Sequence, residues 1–214
     1  MKTKLIILDF DGTLGDTQSL IINTLQQTIR QMHLPPRTDA QCAATIGLSL
    51  TKAFTTMFDI SDEEGEKCAA VYRDIFDKDN TPGRVQLFPH VKQTLSTLHQ
   101  RGFTLSIASS RHSQTLIQYA ADLGIAPYLS YIISAAEVKN AKPDPEMVDK
   151  TLAHFRLQPD DAIVVGDATF DIDMAHNAGV KAVGVTYGNG SREDMVRVGA
   201  DWIVDDFASL LDIV

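Results

Sequence analysis

Acidic side chains follow two short apolar runs of the sequence, and their spacing is suited to binding a cation. Asp9 and Asp11 come directly after the run Leu-Ile-Ile-Leu, and Asp167 and Asp171 follow the run Ala-Ile-Val-Val. Residues two apart in an extended chain point to the same side, so Asp9 and Asp11 face one pocket. If the two runs are neighbouring strands, all four carboxylates converge on that pocket.

Convergence of these carboxylates has an electrostatic cost. Two like charges about 4 Å apart repel by roughly 4 kcal/mol at an effective dielectric of about 20. The carboxylates therefore need a cation among them, and a few hard oxygen ligands with room for water and a phosphate oxygen favour Mg²⁺ over zinc or a full calcium cage. Cysteine is absent from these segments, which makes a soft metal a weaker choice.

Two further strand ends carry groups that suit a phosphoryl anion. Ser109, Ser110 and Arg111 follow the run Ser-Ile-Ala and supply hydroxyl and backbone donors at a strand-to-helix turn. Lys142, fixed in direction by Pro143, places one cation in the loop after the next apolar run. Carboxylates, a hydroxyl, a lysine and a metal together predict phosphoryl transfer to an aspartate.

The elements that position these groups alternate between strands and helices. Apolar runs that do not alternate with polar residues predict parallel strands buried on both faces. These strands are predicted at residues 5–8, 103–108, 131–133, 162–165, 180–186 and 202–204, and helices at residues 90–100, 113–123, 145–155 and 172–178. The order predicts an α/β fold with a doubly wound, mostly parallel sheet, in which ligands bind beyond the carboxyl ends of the strands.

One connection is too long for a single βαβ unit. The segment between Asp9 and Phe103 is about three times as long as the roughly 30 residues that such a unit needs. An apolar stripe at four-residue spacing early in this segment, and a capping box of Ser61 and Glu64 later in it, predict helices. We therefore predict a small helical domain at residues 17–80.

The composition is that of a globular chain with few candidate macromolecular partners. A chain of 214 residues suits an α/β core, residues 1–16 and 81–214, that carries a smaller insertion. Nineteen Lys and Arg against 28 Asp and Glu give a formal charge of −9, so nucleic acid and anionic membranes are poor partners.

Cys42 and Cys68 form no CxxC pair, and the first apolar run is too short for a signal peptide. We expect a reduced, cytoplasmic protein that is a monomer or weak dimer.

Taken together, the motifs resemble those of the haloacid dehalogenase-like superfamily, in the branch that contains phosphoglycolate phosphatase and β-phosphoglucomutase. The resemblance covers essentially the whole chain and rests on Asp-Phe-Asp-Gly-Thr-Leu from Asp9, Ser109, Lys-Pro-Asp-Pro from Lys142, and Gly-Asp ending at Asp167 with Asp171. It implies a Rossmann-like core with an inserted helical cap. It also implies Mg²⁺-dependent hydrolysis of a small phosphorylated metabolite, either phosphoglycolate-like or a sugar phosphate.

The resemblance implies roles for the residues that would carry the chemistry. Asp9 would be the nucleophile that becomes an aspartyl phosphate, and it would also bind Mg²⁺. Asp11 would protonate the leaving alkoxide and then activate water, while its backbone carbonyl binds the metal. Ser109 would hydrogen-bond the phosphoryl group, and Lys142 would neutralise both the nucleophile and the phosphate.

Other residues are implied in binding the metal and the substrate. Asp167 would be a metal ligand, with Asp171 close by or acting through water. The loop at Gly47 resembles the specificity loop of that branch. The predicted substrate-binding residues are Gly47, Lys52, Ser110 and Arg111.

Other functions remain open at this stage. A mutase would use the same aspartyl phosphate and return the phosphoryl group to a sugar, and the motifs do not distinguish it. A phosphoacceptor signalling domain also uses clustered acids, a hydroxyl and a lysine on a parallel sheet, but it has no reason to enclose a substrate. A dehalogenase is disfavoured because Asp11, an acid suited to an alkoxide, has no evident task when halide leaves.

Overall fold

The computed structural model describes residues 3–214, in which strands and helices alternate as the apolar runs predict. The first two positions of the predicted core domain lie outside the described residues. In chain order the elements are β1 (Leu5–Leu8), β2 (Gly15–Asp16), α1 (Gln18–Gln31), α2 (Asp39–Ala43), α3 (Leu50–Met57), α4 (Asp62–Asp79), β3 (Gln86–Leu87), α5 (Val91–Gln100), β4 (Thr104–Ser109), α6 (Ser113–Asp122), β5 (Tyr131–Ser134), α7 (Glu146–Phe155), β6 (Ala162–Gly166), α8 (Thr169–Asn177), β7 (Lys181–Val185), α9 (Arg192–Arg197), β8 (Trp202–Val204) and α10 (Leu210–Ile213).

The six longer apolar runs form one parallel sheet in the order β5, β4, β1, β6, β7, β8. β1 lies in the middle, where Leu8 pairs with Ile107 of β4 on one side and with Val165 of β6 on the other. The carboxyl ends of these three strands therefore lie side by side. This arrangement confirms the predicted fold class.

Helices cover both faces of the sheet, which explains why its central strands are apolar throughout. Ile6 and Leu8 point into one core with α5 and α6, whereas Leu5 and Ile7 point into a second core with α7 and α8. Every residue of β1 and β6 is buried. A strand covered on both faces gains from apolar side chains at every position, so the absence of alternation in the sequence has this physical cause.

The long connection after β1 consists of the four helices α1 to α4, and α4 packs against both α1 and α3. The predicted capping box is present, because the Ser61 hydroxyl accepts from the Glu64 backbone and the Glu64 carboxylate accepts from the Ser61 backbone. The chain enters and leaves this helical segment through the short antiparallel pair of β2 and β3. The sequence patterns do not predict α2, α9 or this pair, because all of them are short.

Phe10 anchors the loop that separates the two acidic residues of the first motif. Its ring is fully buried and stacks on Tyr119 of α6, with centroids 5.4 Å apart. A Cβ at Gly15 would lie 2.9 Å from the same ring, so the return of the chain past Phe10 leaves no room for a side chain. The packing of Phe10 into the core therefore fixes the backbone positions of the flanking residues Asp9 and Asp11.

We predict that Phe10→Ala lowers the free energy of unfolding by about 3–5 kcal/mol, because it leaves a cavity beneath the acidic loop. Urea unfolding followed by circular dichroism measures this change. Val196→Ala is the control, because Val196 is 64% exposed and its truncation should change stability by less than about 0.5 kcal/mol. Equal effects of the two substitutions would contradict the assigned role of Phe10.

Candidate active site

Three carboxylates meet at the carboxyl edge of the sheet, between the ends of β1 and β6. Oxygens of Asp9, Asp167 and Asp171 all lie within 4.8 Å of one another, and these residues are only 4%, 1% and 1% exposed. Asp9 extends β1, since its backbone amide donates to Val165 at 2.9 Å. Asp171 lies in the first turn of α8, where its Oδ2 accepts from the Ala168 amide at 3.0 Å. The parallel pairing of the two strands thus brings together residues from distant parts of the sequence.

Lys142 supplies positive charge to this cluster from the loop that precedes α7. Its Nζ lies 2.5 Å from Asp9 Oδ1 and 2.7 Å from Asp171 Oδ1, and its side chain is fully buried. Burial alone would lower the pKa of Lys142, but the carboxylates of Asp171 and Asp9 raise it above its usual value. The amine is therefore held in its charged form between two acids.

The charge of Lys142 does not balance the cluster, because three carboxylates and one ammonium leave two formal negative charges. Burial, opposed by Lys142 and reinforced by Asp171, raises the pKa of Asp9 well above its ordinary value. Burial and the neighbouring Asp171 raise the pKa of Asp167 to about 7. A buried site of hard oxygen donors with this charge fits a divalent metal ion, which would allow the acids to ionise together.

Thr13, which the first motif contains without an assigned role, and Asn189, which no motif contains, hold Asp167 in place. The Thr13 hydroxyl donates to Asp167 Oδ1 at 3.1 Å, and the Asn189 backbone and side-chain amides donate to Oδ2 at 2.6 and 2.8 Å. A Cβ on Gly188 would lie 2.4 Å from the same oxygen, and one on Gly190 would lie 2.1 Å from the Asp167 carbonyl. The sequence Gly-Asn-Gly is therefore the signal that a loop approaches this carboxylate closely.

The carboxylate of Asp11 is turned to Arg111. Arg111 Nη2 lies 2.6 Å from Asp11 Oδ1, its Nε donates to Oδ2 at 3.0 Å, and the Thr17 hydroxyl donates to Oδ1 at 2.7 Å. The guanidinium also lies over the ring of Phe76 in α4, 4.7 Å from the centroid. Arg111 therefore connects an acid of the core with the inserted helices, and its contact with substrate stays a prediction.

The remaining predicted site residues are distributed between the site and the surface. Ser109 is buried, and its hydroxyl accepts from the Arg111 amide at 3.2 Å. Ser110 donates to the Gly47 carbonyl at 2.6 Å, which ties β4 to a loop of the helical segment. Lys52, by contrast, is exposed on α3 and does not line the cleft. Roles for these residues in binding substrate stay predictions.

A cleft of about 450 Å³ lies between the helical segment and the carboxyl edge of the sheet. Asp9, Asp11 and Ser109 line its core side, and α1, α3, α4 and the loop at Gly47 line the opposite side. The carboxylate of Asp9 is thus accessible from the cleft, although Lys142 and the other two acids of the cluster lie beneath the surface of the cleft. Within residues 3–214, no helix is long and apolar enough to cross a membrane.

Residues 6–185 match the family described as haloacid dehalogenase-like hydrolase, and the chain belongs to that family. It is 31% identical to the phosphoglycolate phosphatase of Vibrio vulnificus (strain CMCP6) over 100% of this chain and 96% of that protein. It is 28% identical to the pyrophosphatase PpaX of Anoxybacillus flavithermus over 100% of this chain and 98% of that protein. A solved haloacid dehalogenase-like hydrolase from Bacteroides fragilis superposes with a TM-score of 0.92 at 25% identity, covering 98% of this chain and 100% of that chain.

These comparisons confirm the resemblance that the four strand-end motifs indicate. They also confirm the predicted class of enzyme, a phosphoric monoester hydrolase of the phosphatase type. The likeness extends over nearly the full length of each relative, so the helical segment and the core are both part of it.

We predict that Mg²⁺ stabilises the protein by binding at the acidic cluster. An Mg²⁺ concentration about a hundredfold above Kd should raise Tm by roughly 5–10 °C, measured by differential scanning calorimetry against a chelated sample. Asp167→Asn should lose more than half of this shift, since it removes a charged ligand. Asp173→Asn, which changes another acid of α8 outside the cluster, should keep it. Equal shifts in the two variants would contradict a metal site at the cluster.

We also predict that Lys142 stabilises the fold when metal is absent, because it compensates part of the charge of the buried carboxylates. In chelated buffer, Lys142→Met should lower the free energy of unfolding by about 3–5 kcal/mol, because it leaves buried acids without their counterion. Lys139→Met, at an exposed position three residues earlier, should change it by less than about 0.5 kcal/mol. Urea unfolding curves that coincide for the two variants would show that Lys142 does not stabilise the cluster.

Proposed function

We propose that this protein is a Mg²⁺-dependent phosphatase that hydrolyses a small phosphorylated metabolite through an aspartyl phosphate on Asp9. The observation that carries the proposal is the ammonium of Lys142 against a buried carboxylate that opens onto a cleft. A carboxylate placed in this way has a counterion on one oxygen and access to substrate, which are the requirements of a nucleophile.

The metal would be held by Asp9, by Asp167 and by the backbone carbonyl of Asp11, with Asp171 directly or through water. The Asn189 side chain lies 3.4 Å from the Asp11 carbonyl and also contacts Asp167. The Asp11 carbonyl and the Asp167 carboxylate therefore face the same region. Bound there, the ion supplies positive charge that neutralises the acids and the phosphoryl oxygens.

Attack on phosphorus would come from Asp9 Oδ2, because Oδ1 accepts from Lys142. Lys142 is buried, so its ammonium would neutralise the nucleophile and an adjacent phosphoryl oxygen without contacting solvent. The Ser109 hydroxyl accepts from the Arg111 amide and keeps its own proton to donate to the phosphoryl group. Together these groups orient the phosphoryl group in line with Asp9 and stabilise its charge.

In its protonated form Asp11 would protonate the leaving alkoxide, and the resulting carboxylate would accept a proton from the water that hydrolyses the aspartyl phosphate, which restores the acid. It lines the cleft two residues after Asp9. Because Arg111 and Thr17 hold its carboxylate in the substrate-free structure, turnover requires these contacts to loosen as the proton moves.

Membership of a hydrolase family supports water as the final acceptor of the phosphoryl group, rather than a long-lived phosphoaspartate. Relatives carry the names phosphoglycolate phosphatase and pyrophosphatase, so small phosphorylated compounds are the proposed class of substrate, including the phosphoglycolate-like and sugar phosphates expected above. A cytoplasmic location agrees with two buried, unpaired cysteines, Cys42 and Cys68.

Replacing the nucleophile tests the proposal. Asp9→Asn should lower kcat for p-nitrophenyl phosphate in Mg²⁺ by at least about a thousandfold, because the near-isosteric amide cannot attack phosphorus. Asp173→Asn should keep kcat within about twofold, and circular dichroism should show both variants folded. If Asp9→Asn keeps more than a tenth of the wild-type kcat, Asp9 is not the nucleophile.

A further inference from the structure

The side of the cleft that faces Asp9 is mainly apolar. Its buried apolar and aromatic side chains come from α1, the loop after α2, α3 and α4, and they are Ile21, Leu25, Ile46, Ala53, Tyr72 and Phe76. Thr45 is buried there too, and its hydroxyl donates to the Cys42 carbonyl at 2.8 Å. A substrate whose phosphoryl group reaches Asp9 must place its leaving group against this wall. Burial of an apolar leaving group there is favourable, whereas a charged leaving group loses its hydration.

The arginines of the cleft, which could otherwise bind a second anionic group of a substrate, are already paired with acids of the protein. Among the described residues that line the cleft, the basic ones are Arg73, Arg111 and His112, and lysine is absent. His112 is exposed, and its Nδ1 accepts from the Gln114 amide at 3.4 Å. Arg111 is paired with Asp11 at 2.6 Å, and Arg73 is paired with Glu66 at 2.8 Å on the exposed face of α4. A carboxylate or second phosphate on the leaving group would therefore lie against an apolar wall, and both arginines of the cleft are already paired with acids.

Tyr72 adds one polar group to this apolar wall. The residue is only 6% exposed, and the Tyr72 hydroxyl makes no hydrogen bond with another described residue. Its ring stacks on Phe76 with centroids 5.9 Å apart and an angle of 16° between the planes. A planar ring on the substrate could pack against this pair, and a polar atom on it could bond to the hydroxyl.

We propose that the cleft selects phosphomonoesters of an uncharged, ring-bearing alcohol, and that Tyr72 donates a hydrogen bond to a polar atom of that alcohol. This inference rests on the proposed phosphatase function and narrows its substrate class to compounds with an uncharged leaving group, so it excludes the phosphoglycolate-like compounds included above. It sets this chain apart from an enzyme that selects glycolate or pyrophosphate, whose leaving groups are anionic.

The test compares Mg²⁺-dependent phosphate release from benzyl phosphate, 3-pyridylmethyl phosphate, 2-phosphoglycolate and pyrophosphate. We expect kcat/KM for the two ring-bearing esters to exceed the values for the two anionic compounds by at least about tenfold. Equal or higher kcat/KM for either anionic compound would overturn the inference while leaving a phosphatase in place. Absence of phosphate release from all four compounds and from p-nitrophenyl phosphate would instead overturn the proposed function.

The role of Tyr72 is tested by the ratio of two Michaelis constants. Tyr72→Phe should raise KM for 3-pyridylmethyl phosphate about tenfold more than KM for benzyl phosphate, because only the pyridine offers a hydrogen-bond acceptor. Tyr131→Phe, in β5 and outside the cleft, should leave the ratio unchanged. If Tyr72→Phe also leaves the ratio unchanged, the hydroxyl does not contact the substrate.

Discussion

The contact of the Lys142 ammonium with the carboxylates of Asp9 and Asp171 is the interaction on which the site depends. It allows acids to approach one another in the interior, where repulsion between like charges is poorly screened. It compensates only part of their charge, however, and the remaining negative charge would favour the binding of a divalent ion. The same imbalance explains why burial and neighbouring acids raise the pKa of both Asp9 and Asp167. The proposed nucleophile and the proposed metal site therefore have one electrostatic origin.

The sheet creates this juxtaposition, because β1 lies between β4 and β6 and all three strands end at the same edge. Each strand end contributes a different group: Asp9 from β1, Ser109 from β4 and Asp167 beyond β6. The helical segment begins only seven residues after Asp11, with α1, so it is held directly above that edge. The proposed catalytic groups thus come from the strand ends of the sheet, whereas the groups proposed to face the leaving group come from the inserted helices.

Much of this arrangement follows from local patterns in the sequence. Apolar runs predict all six strands of the main sheet, and the capping residues Ser61 and Glu64 predict the start of α4. Contacts between distant loops are not encoded locally, so the hydrogen bonds of Thr13 and Asn189 to Asp167 emerge only from the folded chain. The pairing of Asp11 with Arg111 is likewise invisible in the sequence, since 100 positions separate the two residues. Short elements such as α2 carry too few residues to produce a periodic pattern.

The proposed substrate selection and the proposed catalysis are therefore separable in this molecule, because different segments would carry them. Both proposals require that the buried acids are arranged to hold one divalent ion next to the nucleophile. Crystals grown with Mn²⁺, which scatters anomalously, test it most directly. The account predicts one strong anomalous peak per chain between the carboxylates of Asp9 and Asp167, lost in crystals of Asp167→Asn. A fully occupied Mn²⁺ peak elsewhere, with none at the acidic cluster, would contradict it.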